Sequence, residues 1–355
     1  MRTHRWGRLV LGATLVTGCI REPIRHPDRM STWLEFTSED TVADQVAFAA
    51  SLDLNVNVAV IRGEHDRDFV RAACDAAEGS DVALRLWPLL PEEEGYWPNQ
   101  GNAEPFVEWL EELRSWARRD CRRLDGWVVD LEMPIDRALE LEALVEGGAS
   151  VLDLVSFFVN EIDEVGFEEA RTVFREETDV LKEEGFSVIA TTVPMLADDV
   201  LDGDETIAMA LWTPVEGIDW DLVSFQIYRS LFDSRYAEVL QDPEAGFTSG
   251  LVSSYAATAV EHYGVRAGID LGTTGAVGIG IDEGLASAGE LQADIAAALA
   301  AGVSPGRVSI YSLEGLVGRE DAAEWVAVPE PAAAEVDAST EEIRALFQDL
   351  DALRD

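Results

Sequence analysis

Short runs rich in Val, Ile and Leu alternate along the chain with stretches whose apolar residues recur at helical spacing. The strand-like runs are 31–36 (STWLEF), 56–62 (VNVAVIR), 82–87 (VALRLW), 126–132 (GWVVDLE), 186–193 (FSVIATTV), 222–228 (LVSFQIY), 265–271 (VRAGIDL) and 307–313 (RVSIYSL). Helical spacing is found at 40–52, 67–78, 105–122, 163–184 and 287–301, with room for two or three helices in 133–185. Asp40 and Asn102 are candidate helix starts, and Gly185 and Gly302 stand where helices would end. Strands this apolar suit a parallel sheet covered by helices. Eight of them alternating with helices over about 300 residues predict a single (β/α)8 barrel. A doubly wound open sheet would show a glycine-rich phosphate loop after an early strand, and none is present.

These elements divide the chain into four parts. Residues 1–18 read as a leader, 19–30 as a tether, 31–328 as the barrel, and 329–355 as a Pro/Ala linker (PEPAAAE) followed by a last helix at 340–353. The leader carries Arg2, Arg5 and Arg8 before the apolar run Leu9–Val16, which is too short to span a bilayer. It ends Val16-Thr17-Gly18-Cys19, which resembles the bacterial lipobox. That resemblance implies cleavage before Cys19, lipidation of its thiol, and an exported protein tied to a membrane, periplasmic or at the cell surface.

Composition changes the picture in one respect. The 355 residues include 69 acidic and 26 basic ones, for a formal charge of -43. With 47% hydrophobic residues the chain can still bury a large core, so the charge does not signal disorder. It does oppose binding to nucleic acid and to anionic lipid heads. Lys182 is the single lysine. An acidic, lysine-poor surface fits solubility in high salt, and a GC-rich genome produces the same arginine bias. Beyond Cys19, Cys74 and Cys121 lie in helix-like stretches without CxxC spacing and read as two buried thiols, although an exported chain could join them. The histidines are scattered, so no metal site built on sulfur or imidazole is expected, and no cofactor motif is present.

In a barrel of this kind chemistry sits at the C-terminal ends of the strands. The residues there are Glu35 on strand one, Arg62 on strand two, and Arg85 and Trp87 on strand three. They continue with Asp130 and Glu132 on strand four, Gln226 and Tyr228 on strand six, Asp270 on strand seven and Tyr311 on strand eight. Side chains alternate along a strand, so Val128, Asp130 and Glu132 share a face, and the apolar residues before them make it the interior. Two carboxylates about 7 Å apart in a confined mouth raise one another's pKa, which yields a proton donor near neutral pH. That is what general acid catalysis at a glycosidic bond needs. The opposing reading is a carboxylate network neutralised by Arg62 and Arg85. The long loop 87–99 adds Trp87, Tyr96 and Trp97 as platforms for sugar faces.

The run Leu124-Asp125-Gly126-Trp127-Val128-Val129-Asp130-Leu131-Glu132 resembles strand four of family 18 glycoside hydrolases, the chitinases and endo-β-N-acetylglucosaminidases, whose pattern is DGxDxDxE. Asp125, Gly126, Asp130 and Glu132 match, while Val128 replaces the first interior Asp. Gln226-Ile227-Tyr228 resembles the family's tyrosine-bearing strand, and Tyr311 stands where its last strand has tryptophan. The resemblance implies that Glu132 protonates the leaving oxygen, Asp130 orients a substrate N-acetyl group that acts as internal nucleophile, and Tyr228 bonds that group. Glu35, Arg62, Arg85, Trp87, Trp97, Gln226, Asp270 and Tyr311 are then expected to line the glycan site. Val128 and Tyr311 also leave open a barrel that binds glycan without cutting it. Two further arrangements rank lower: a direct-displacement pair of Glu132 and Asp270, and an oxygen-ligand metal site made of Glu35, Asp130, Glu132 and Asp270.

Overall fold

In the computed structural model, described over residues 26–148, 153, 156–158, 162–233, 246–275 and 284–352, eight parallel strands close on themselves in sequence order. They are β1 (Ser31–Leu34), β2 (Asn55–Ile61), β3 (Leu84–Leu89), β4 (Leu124–Leu131), β5 (Ser187–Thr192), β6 (Leu222–Ile227), β7 (Ala267–Gly272) and β8 (Val308–Tyr311). The fold is therefore a (β/α)8 barrel, and each predicted strand is present. The leader, Cys19 and the tether up to residue 25 lie outside the described residues.

Strand alternation sorts the apolar residues into two cores. Val56, Val58 and Val60 of β2 and Trp127, Val129 and Leu131 of β4 face outward into the layer between sheet and helices. Trp33, Ala59, Trp87, Val128, Ile189 and Tyr311 belong to a separate cluster inside the barrel. Gly126 is required by the closeness of β4 to β5, because a Cβ there would lie 2.2 Å from the Ser187 carbonyl oxygen. The DG step of the strand-four motif thus has a packing reason in this chain.

The helices that cover the sheet are α1 (Glu39–Ser51), α2 (Arg67–Ser80), α3 (Ala103–Asp120), α4 (Ile135–Glu146), α5 (Glu164–Glu183), α6 (Leu196–Asp202), α7 (Thr206–Ala210), α8 (Ser249–Tyr263), α9 (Ala288–Ala300), α10 (Ala322–Trp325) and α11 (Ala338–Ala352). Ser38 caps α1 through a capping box with Thr41, so Asp40 lies in the first turn and does not start the helix. Gly185 and Gly302 follow the ends of α5 and α9 with positive φ, as expected of residues that terminate helices. Helix α8 carries no strong contrast between its faces, because Ser253, Ser254 and Thr258 stand among small apolar residues, yet Leu251, Val252, Tyr255, Ala256 and Ala259 are buried at helical spacing. Helix α11 packs on the barrel through Ile343 and Phe347, and Arg344 reaches Asp198 on α6 and donates to Ser254 Oγ at 2.7 Å.

Cys74 and Cys121 form a disulfide, which corrects the expectation of two free thiols. Packing of α2 beside α3 brings their Cα atoms to 5.3 Å, within bonding range for cystine. The bridge closes a separation of 47 residues. On chain entropy alone such a loop contributes about 4 kcal/mol. Replacing both cysteines by serine is expected to cost about 2–4 kcal/mol in denaturant unfolding, and reductant should then have no further effect. An unchanged midpoint would show that the bridge does not constrain the unfolded chain.

Candidate active site

The C-terminal ends of the strands open into a cavity of about 220 Å³. Asp130 is the last inward residue of β4, and Glu132 continues the same face into the mouth. From β6, the Gln226 side-chain amide donates to Asp130 Oδ1 at 2.8 Å and to Glu132 Oε1 at 2.9 Å. Asp130 and Glu132 also hydrogen-bond one another, which requires a proton on one of them. Burial lifts Glu132 to about 7, against the pull of its bonds from Gln226 and Asp130. Burial also lifts Asp130 well above the ordinary carboxylate range, with the charges of Glu132, Glu35 and Asp270 adding to it. The pair therefore shares a proton near neutral pH.

Glu35 stands across the cavity, just beyond β1. Its Oε1 accepts from the Tyr96 hydroxyl at 2.8 Å and its Oε2 accepts from the Tyr311 hydroxyl. Glu314 turns its carboxylate to the backbone N–H groups of Glu35 and Phe36, at 2.7 and 2.9 Å, and so fixes that loop. Burial raises Glu35 to about 7, opposed by the two tyrosine bonds. Asp270 is raised to about 6 by burial and accepts from Thr191 Oγ1 at 2.6 Å. The walls are aromatic: Trp33 meets Trp87 edge-on with centroids 4.9 Å apart, and Tyr228 lies against Tyr311 at 5.2 Å.

Of the residues named from sequence, Glu35, Trp87, Trp97, Asp130, Glu132, Gln226, Tyr228 and Tyr311 line this one cavity. Three do not. Arg62 points away and pairs with Glu94 at 3.0 Å on the rim, because the 92–94 turn brings that acid alongside. Arg85 lies deeper in the barrel, where Ser31 and Asn57 accept from its guanidinium at 3.0 and 3.2 Å. Asp270 is wholly buried and is absent from the lining. The two arginines therefore neither contact the carboxylate pair nor present a cation to a ligand there. Tyr96 is likewise no stacking platform, since it is buried and spends its hydroxyl on Glu35.

Sequence reasoning missed Trp33, although it sits two residues before Glu35 on the same inward face. It also missed Ile135, Leu139 and Glu142 on α4, and Leu231 and Phe232 after β6, which come to the rim from helix and loop. No sequence period marks such residues. Among the described residues no group of three His, Cys, Asp or Glu side chains is placed to hold a metal ion.

No family model and no curated protein matches the chain. Among solved structures it is similar to D-allulose 3-epimerase from Methylomonas sp. at 10% identity, covering 92% of this chain and 99% of that one with a TM-score of 0.45. A glucosidase from Croceicoccus marinus matches at 8% identity over 91% and 68% of the two chains, with a TM-score of 0.45. The 3-dehydroquinate dehydratase from Aquifex aeolicus VF5 matches at 12% identity over 90% and 98%, with a TM-score of 0.37. At such scores no activity passes from them to this chain, and the family 18 likeness of strand four stays a resemblance in sequence.

The raised carboxyls carry a stability consequence with a definite sign. Glu132 titrates near 7 when folded and near its ordinary 4.5 when unfolded. Below about pH 4.5 both states are protonated and the group costs nothing. As pH rises towards 7 the unfolded chain releases its proton first, so folding is progressively destabilised, by about 3 kcal/mol above pH 7. Glu132→Gln is therefore expected to stabilise the protein by about 1–3 kcal/mol at pH 8 and to add little at pH 4, read from urea unfolding. Equal effects at both pH values would contradict the raised pKa.

Proposed function

We propose that the barrel mouth binds a glycan and that Glu132 acts as general acid on a glycosidic bond, with Asp130 assisting. The observation that carries this reading is the carboxyl pair on one inward face, tied by Gln226 and sharing a proton in a cavity with aromatic walls. A carboxyl that titrates near 7 is protonated often enough at neutral pH to give its proton, and its conjugate base is strong enough to recover one.

The finer chemistry follows the family 18 resemblance. With an N-acetylhexosamine in place, the acetyl oxygen would attack the anomeric carbon as the bond to the leaving oxygen breaks and Glu132 donates its proton there. Water would then open the cyclic intermediate and return a proton to Glu132. Asp130 would hold the acetamido N–H, and Tyr228, lining the same cavity, would bond its carbonyl oxygen. A second reading has one specific observation in its favour: Val128 occupies the interior position below Asp130, so no third carboxylate is available on that strand to draw the Asp130 proton inward. That arrangement suits a barrel that holds glycan without cleaving it.

Assay of aryl glycosides and chitooligosaccharides separates the two. Hydrolysis is expected, with kcat/KM reduced about 10²–10⁴-fold by Glu132→Gln. Product release undiminished in that variant would overturn the role of Glu132. Binding by calorimetry without any product would favour the second reading.

We further propose that the chain is exported and held at a membrane by lipid on Cys19. The charged leader with its short apolar run supports this, and so does the Cys74–Cys121 disulfide, since such bonds persist in oxidising compartments. Cys19→Ser is expected to move the protein from the membrane fraction to the soluble fraction of a bacterial host. Retention in the membrane fraction would contradict the anchor.

A further inference from the structure

Asp270 is a buried acid that the reaction above does not use. Its neighbours along β7, Ile269 and Leu271, belong to the outer core, so its own side chain points into the barrel. It is fully buried and does not line the cavity, so it cannot attack a bound ligand. Its place is nevertheless tied to the carboxyl pair from two sides. Along the sheet, Asp130 of β4 pairs with Thr191 of β5, and Gln226 of β6 pairs with Asp270 of β7. Across the interior, the Thr191 hydroxyl donates to Asp270 Oδ2 at 2.6 Å, and the Gln226 amide donates to Asp130 Oδ1 at 2.8 Å. The four residues thus form a closed circuit over four adjacent strands, in which backbone pairing and side-chain bonds alternate. The Thr191 bond alone does not call for a charged partner, since an asparagine oxygen would accept it equally well.

We infer that Asp270 is a positioning residue, the carboxylate behind the cavity wall whose negative charge keeps the shared proton on the Asp130–Glu132 pair. Strand β4 cannot supply that charge itself, because Val128 holds its next interior position. The use of the proton rests on the reading of Glu132 as general acid, while the place of Asp270 rests on strand register and its own bonds.

The order of ionisation agrees with this role. Burial is the main cause of the raised Asp130 and Tyr228, and the charge of Asp270 adds to both. Burial raises Asp270 itself only to about 6, with the Thr191 bond pulling it down, against about 7 for Glu132. As pH rises Asp270 therefore ionises first, and the pair meets its negative charge while it still holds a proton. Among the described residues, the other titratable groups that share the barrel interior and mouth are Glu35 beyond β1, Arg85 of β3, Asp130 and Glu132 on the β4 face, Tyr228 beyond β6 and Tyr311 of β8. Arg85 lies deeper, bonded to Ser31 and Asn57, and the acid whose charge acts on it is Asp125.

The test is carboxyl titration by NMR on the folded chain, joined to the pH profile of kcat/KM on the glycosides above. In Asp270→Asn, which can keep the Thr191 bond, Asp130 and Glu132 are expected to titrate at least about half a pH unit lower. The alkaline limb of the pH profile should move to lower pH with them. A residue that only packs would lower activity at every pH and leave both readings where they were. Thr191→Val takes a donor from Asp270 and keeps the carboxyl, so Asp270 ionises later and the pair is expected to move in the same direction by less. That variant decides the matter if Asp270→Asn does not fold. A pair that titrates as in the unaltered chain, in either folded variant, overturns the inference, and the glycan reading then stands on the loss of hydrolysis in Glu132→Gln. If the unaltered chain hydrolyses nothing, the glycosidase reading fails, and the titration still decides whether Asp270 holds the proton in place.

Discussion

The hydrogen bonds from Gln226 to Asp130 and Glu132 hold together a group of atoms that would otherwise repel. Two carboxyls on one strand face, with Glu35 across the cavity and Asp270 buried close by, cannot all ionise in a site shielded from water. The amide supplies a donor to each member of the pair, and a shared proton supplies the rest. Every other feature of the mouth follows from that constraint. Tyr96 and Tyr311 give Glu35 two hydroxyl donors, and Thr191 gives Asp270 one. These are neutral donors throughout, so the carboxyls are bonded without being discharged.

The barrel makes this arrangement affordable. Its outer core of Val, Leu and Ile under the helices is separate from the interior, so stability comes from one layer and chemistry from another. The disulfide between α2 and α3 and the docking of α11 through Arg344 add rigidity outside the strands. Inside, Arg85 is confined below the mouth by Ser31 and Asn57, which keeps the one interior arginine described here away from the pair. Sites that hold buried acids near neutral pKa cost the fold stability, and that cost is a mark of a functional site more often than of a structural one.

The fold was legible because strand period and strand count are local properties. Alternation placed Val128, Asp130 and Glu132 inward, and the structure finds Val128 in the interior cluster and both acids on the cavity wall. The same rule would have found Trp33, two residues before Glu35. It could not assign partners. Arg62 and Arg85 sit at the right places on their strands, yet one is drawn to Glu94 by a turn and the other is packed below the mouth, and both outcomes depend on tertiary neighbours. The rim residues of α4 and those after β6 were illegible for the same reason. The disulfide was hidden as well, because only the packing of α2 on α3 brings its cysteines within reach.

Carboxyl titration by NMR, with carbon-13 in the side chains of Asp and Glu, reads the protonation of the mouth itself. A proton held by the pair predicts carboxyl resonances that titrate near pH 7, with one of them lost in Glu132→Gln and that of Asp130 moved to lower pH once the charge of Glu132 is gone. If Glu35, Asp130 and Glu132 all titrate between about pH 3.5 and 5, as solvated carboxyls do, the mouth does not hold a proton at neutral pH and Glu132 has none to give.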